Sequence, residues 1–138
     1  MKSTTFPLPS HLFFSLVAAV LMAGSSVGAQ EEVAKGSALR KSLFEIARPQ
    51  IEQQAGQKVL FEGSLKQLNG WAFFLGTIVK GNGAEIRVGE SESGDTVILW
   101  QKRGGSWVVV EAETGFTDAF FVDWPESKGV PRSLIGLK

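Results

Sequence analysis

The spacing of apolar residues changes once along this chain, and that change limits the folds open to it. Leu39, Leu43, Ala47, Ile51 and Ala55 recur every four residues, with Phe44 and Ile46 widening the row. A repeat near 3.6 gathers them into one stripe of a helix. The other face carries Arg40, Lys41, Glu45, Arg48, Glu52 and Gln53. Past Gly56 the repeat becomes two. Val59, Phe61, Gly63 and Leu65 alternate with Leu60, Glu62, Ser64 and Lys66, the pattern of a half-buried strand. A helix followed by strands is an α+β order, with the helix covering one face of a sheet.

Turn and cap residues divide the rest. Ser37 is an N-cap, its hydroxyl able to take an orphan N–H, and Gly56 suits the left-handed stop. Pro49 removes a backbone donor, so the helix is expected to kink near Arg48 or to restart there. Asn69-Gly70 fits a type I′ hairpin turn, which needs positive φ twice. Trp71–Val79 is apolar on both faces and so belongs in the middle of the sheet. Asp95–Gln101 gives a third strand, Lys102-Arg103-Gly104-Gly105 a turn, and Ser106–Glu113 a fourth strand. Between them, Gly81–Gly94 is polar and Gly-rich and reads as a mobile loop, with Ile86-Arg87-Val88 as a short edge piece. Gln30–Gly36 reads as a frayed leader.

The C-terminal stretch is too apolar for a loose tail. Thr117 is expected to cap a short turn that holds Phe120, Phe121 and Trp124 against the bare sheet face, and Gly129–Ile135 adds another turn with Pro131 near its start. The expected architecture is therefore α+β: an N-terminal amphipathic helix on a four-stranded antiparallel sheet, of cystatin-like or small NTF2-like shape. A short apolar segment closes it, and one domain spans residues 30–138.

Ahead of this domain, Lys2 precedes the apolar run Leu12–Met22, small residues follow to Ala29, and charge begins at Glu31-Glu32. That order is a secretory signal peptide over residues 1–29, cut between Ala29 and Gln30. The run falls short of the ~20 apolar residues that span a bilayer, so no stable membrane anchor is expected after cleavage. With no Cys in the chain, no lipid can be attached behind the cut. The expected location is periplasmic or secreted.

The residue types that are missing narrow the chemistry. The one His is His11 and the two Met are Met1 and Met22, all within the expected signal; Cys and Tyr are absent. The domain therefore lacks imidazole and thiol for nucleophilic pairs, and lacks the usual ligands for zinc, copper or haem. Any catalysis falls to carboxylates, Lys, Ser or Thr. Fourteen basic and fourteen acidic residues balance. They leave no basic face for nucleic acid and no polybasic membrane patch. No cofactor is expected.

Gly70-Trp71-Ala72-Phe73 with Gly76, Lys102–Val109, Gly115-Phe116-Thr117-Asp118 and Asp123-Trp124-Pro125 together resemble a group of small secreted bacterial proteins. The similarity, with the helix ahead of it, spans nearly all of the domain. It implies export and carries no activity and no catalytic residues. Phe116 stands where the resemblance would lead one to expect Pro.

Five residues are candidates for a binding site. Glu111 and Glu113, two apart on one strand, point to the same face about 6–7 Å apart, near the separation of paired glycosidase carboxylates. Asp118 and Asp123 lie among apolar residues, where a buried acid must be hydrogen-bonded or hold its proton. Trp107 could contribute to an exposed aromatic patch on the last strand. Glu90, Glu92 and Asp95 offer oxygen ligands but lack an EF-hand spacing, so no metal site is expected. The chain reads as a non-catalytic exported binding or interaction domain, for example a periplasmic inhibitor or immunity protein. Its partner would be a protein, a peptide or a small apolar ligand. The rival is a small NTF2-like enzyme using carboxylates alone, its pocket closed between sheet and helix.

Overall fold

Ser37, in an extended conformation, accepts the Arg40 N–H on its hydroxyl and starts helix α1 (Ala38–Ala55); Gly56 ends it at φ 74°. The computed structural model describes residues 30–138, and the expected signal peptide lies outside the described residues. Pro49 does not break α1, which runs as one helix. Pro49 and Glu45 are both exposed, so the carbonyl that Pro49 cannot serve faces solvent. Meanwhile Leu43, Ala47 and Ile51 hold both halves of the helix on one sheet.

The sheet has five strands, not the expected four, in the order β1 (Glu31–Glu32), β2 (Leu60–Leu68), β3 (Trp71–Val79), β4 (Asp95–Arg103) and β5 (Ser106–Thr114). Every neighbouring pair is antiparallel. The extra strand comes from the segment read as a frayed leader. Glu31 and Glu32 pair with Gln67 and Lys66, and the Val33 N–H donates to the Leu65 carbonyl at 2.7 Å, burying Val33. Backbone hydrogen bonds place these residues, and a two-residue strand leaves no periodic signal.

Asn69 and Gly70 both take positive φ, 50° and 81°, as a type I′ turn requires. Gly63 and Gly76 face each other across β2 and β3. A Cβ on Gly76 would run into the Glu62 carbonyl and the Phe74 ring, so side-chain-free backbone lets the strands close beneath that ring. The stretch expected to be a mobile loop folds back on β3. The Ile86 N–H donates to the Ile78 carbonyl, Val88 bridges Ser93, and Ile86 is buried.

Alternate residues of β3 and β4 feed two cores. Ala72, Phe74, Ile78, Ile98 and Trp100 meet α1 on one face. Trp71, Phe73, Val97 and Leu99 meet the C-terminal segment on the other. That segment is a 3-10 turn (Phe120–Asp123), helix α2 (Trp124–Lys128) and a second 3-10 turn (Arg132–Ile135). It does close the bare face, but Thr117 does not cap it. Ala119 holds the cap position, and no side chain bonds there. At a spacing of three, Phe121 and Trp124 share the inward side, while Phe120 and Asp123 share the outward one. Phe120, expected in the core, is therefore 42% exposed.

Candidate functional site

Among the described residues, a cleft of about 430 Å³ opens between β3 and the segment that follows β5. Leu75, Gly76 and Thr77 form one wall, and Phe116, Ala119 and Phe121 the other. Asp95, at the start of β4, and Asp118 complete it. The geometry rests on a few local bonds. At Gly115 (φ 86°) the chain leaves β5, its N–H donating to the Asp95 carbonyl at 2.9 Å. Its own carbonyl accepts the Ser91 hydroxyl at 3.0 Å. Just inside, Thr96 and Thr114 share a buried hydroxyl–hydroxyl bond of 2.8 Å. Leu75 in the wall and Phe120, edge-on to Phe116, leave much of their apolar surface in solvent.

Asp118 lines this cleft, but neither it nor Asp123 is buried, contrary to the sequence expectation. The apolar neighbours turn inward and leave both acids outside. Asp95 is exposed too, and the described ion pairs, Lys128–Glu111 and Arg132–Glu126, involve neither cleft carboxylate. Glu111 and Glu113 do share a face, yet away from the cleft. The ammonium of Lys128 in α2 holds Glu111 at 2.9 Å, whereas Glu113 is exposed. Trp107 is half-buried against the helix-side core with Lys102 above its ring, so it forms no bare aromatic patch. Among the described residues, no group of three carboxylates is placed to hold one metal ion, Glu90, Glu92 and Asp95 included. Nor is any described helix long and apolar enough to cross a membrane.

The helix face holds a second arrangement, whose two arginines the sequence pattern assigned to solvent. Arg40, Phe44 and Arg48 follow one another at intervals of four along α1, and the Phe61 ring of β2 enters between the last two. Phe44 and Phe61 stack at 4.3 Å, with the Arg40 guanidinium over one ring and Arg48 over the other. Arg40 is buried and donates to the carbonyls of Val33 and Gly63. Burial pulls its pKa below the usual guanidinium value, and nearby Glu32 opposes that shift. Arg48 donates to the Val59 carbonyl, and Glu52 accepts the Val59 N–H at 3.0 Å. Grooves of about 340 and 390 Å³ flank this edge, but their arginines are already committed to backbone carbonyls. Between α1 and the sheet the space is filled: Leu43, Ala47, Ile51, Phe74, Ile98 and Trp100 are all fully buried.

Of the stretches behind the resemblance to small secreted bacterial proteins, those around Trp71, Phe116 and Trp124 come together on the cleft side, whereas Trp107 and Val109 pack on the helix side. Trp71, Phe73, Phe116 and Trp124 share its core, and Asp118 borders the cleft. No protein-family model, curated protein or solved structure matches the chain. Sequence reasoning considered Asp95 only as an oxygen ligand beside Glu90 and Glu92, and did not foresee its place in this cleft. Phe116 and Asp118 lie 21 and 23 positions further along the chain, and the β4–β5 pairing brings them to the same end of the sheet.

Proposed function

We propose that this protein is an exported, non-catalytic binding domain whose cleft takes a small ligand with an apolar body and a cationic end. The carrying observation is the pairing of apolar walls at Leu75, Phe116 and Phe121 with two carboxylates, Asp95 and Asp118, that no described cation neutralises. Apolar walls with a few placed polar groups are the usual make-up of a small-molecule site. A cystatin-like shape, a long helix lying across an antiparallel meander, is the finer fold we infer. Kinship with small secreted bacterial proteins goes with it, as does release from the signal peptide into the periplasm or medium. An inhibitor or immunity protein would be one form of such a domain. The carboxylate enzyme of NTF2-like type is less well supported, because its pocket belongs between helix and sheet, where side chains fill the space.

Benzylamine and benzyl alcohol, titrated against the labelled protein and followed by amide NMR shifts, test the reading. Benzylamine should shift the amides of Gly76, Thr77 and residues 116–121 at lower concentration than the alcohol. Asp118→Asn should narrow that difference, and Ala119→Trp should block both probes. Equal binding of the two probes, or shifts scattered over the surface, would sink the proposal. Intact-mass measurement of the protein from its host should place the N-terminus at or within two residues of Gln30.

A further inference from the structure

We propose that the outer edge of β5 pairs with the same edge of a second copy of this chain, joining two five-stranded sheets around a twofold axis at Val108. The Lys102 N–H donates to the Gly70 carbonyl, away from β5, and Lys102 lies opposite Trp107. In an antiparallel pair the two facing residues exchange both bonds or neither, so the N–H and C=O of Trp107 point outward. The same alternation turns Val109, opposite Trp100, outward. Val110 is the extra residue of a bulge, beyond which Ala112 and Thr114 face out.

These outward groups are treated differently along the strand. The Gln54 side chain lies against the far end like a short partner strand, its amide donating to the Ala112 carbonyl at 2.9 Å and accepting the Thr114 N–H at 2.8 Å. Among the described residues, nothing bonds the outward groups of Trp107 and Val109. The opposite edge of the sheet is guarded by a two-residue acidic strand and by Arg40 and Arg48. Ser106-Trp107-Val108-Val109-Val110 has no charge and no proline. An unguarded apolar edge of this kind templates a further strand.

The geometry points to a second copy as the occupant because the edge is complementary to itself. With the axis at Val108, the outward groups of Trp107 meet those of Val109 in the other copy, making four backbone hydrogen bonds. Trp107 then lies beside Val109 on one face, a favourable aromatic–β-branched pair, and Val108 meets Val108 on the other. The same register brings the exposed Arg103 at one hairpin tip towards the exposed Glu113 end of the other β5, joining opposite charges. Gln54 and the bulge limit the pairing to these five residues.

Sedimentation equilibrium of the purified protein tests this. The wild type should show a concentration-dependent mass rising towards twice that of the monomer. Val108→Lys and Val108→Glu each oppose like charges across the axis and should each weaken association by about tenfold or more. Mixing the two variants in equal amounts should restore it. Val109→Pro removes an outward donor without touching the β4 ladder and should also give a monomer, which covers the case of a position-108 variant that fails to fold. A wild type that stays monomeric at millimolar concentration overturns the proposal, leaving the edge to a strand from a different protein. So does a mixture of the charge variants that associates no better than either alone.

Discussion

The sheet is covered on one face by α1 and on the other by the C-terminal segment, and the two layers are held by different means. α1 is bonded to the sheet at several points. The Trp100 indole donates to the Leu43 carbonyl at 2.9 Å, Arg40 reaches Gly63, Arg48 and Glu52 together take Val59, and Gln54 spans Ala112 and Thr114. The C-terminal layer rests mainly on aromatic packing, Phe121 and Trp124 against Phe73, with the Lys128–Glu111 ion pair at its margin. Directional bonds fix one arrangement, because each costs free energy when left unmade. Aromatic contacts with offset or edge geometry tolerate small shifts. The cleft opens on the second layer, the side that can adjust to a guest.

The largest effects should come from removing the tryptophan at the centre of each layer. Trp100→Ala and Trp124→Ala should each cost ~3–5 kcal/mol, much of a domain stability of roughly 5–15 kcal/mol. Their consequences should differ. Trp100→Ala should loosen the whole domain in urea unfolding, whereas Trp124→Ala should leave the α1 amides protected in hydrogen exchange and expose those of residues 120–135. Equal loss of protection in both layers would break the comparison.

A middle-sized effect is expected at Arg40. Arg40→Met keeps much of the apolar stem but strips the Gly63 and Val33 carbonyls of their donor, costing ~1–3 kcal/mol. No substitution of an exposed charge in the C-terminal layer should match it. Lys128→Ala, which breaks a partly exposed ion pair, should cost no more than about 1 kcal/mol. Urea midpoints of the two variants decide the order. If Lys128→Ala proves the costlier, the C-terminal layer is held by its ion pair rather than by its rings.

Phe120 should show the smallest stability effect. Its ring touches Phe116 and Trp124 edge-on but remains largely in solvent, so Phe120→Ala should cost about 1 kcal/mol or less. The same change should weaken benzylamine binding, through the loss of support for the Phe116 ring that lines the cleft. A loss as large as that of Trp124→Ala would mean that Phe120 belongs to the core.

By itself the sequence determined the helix and its two ends, four strands in order, the Asn69-Gly70 turn and an apolar C-terminal segment that had to be buried. These follow from periodicity, caps and turn residues, which act within a few positions of themselves. Only the tertiary structure decided which members of mixed patterns face inward. Arg40 looked solvated because arginine usually is; burial became tolerable once the Val33 and Gly63 carbonyls, far apart in sequence, converged on it. Phe120 and Asp123 went outward because a 3-10 turn, not an α-turn, sets their phase. Asp95 and Asp118 came to line one cleft because β4 pairs with β5. Local chemistry fixes elements, but sites and edges depend on which distant residues the fold brings to them.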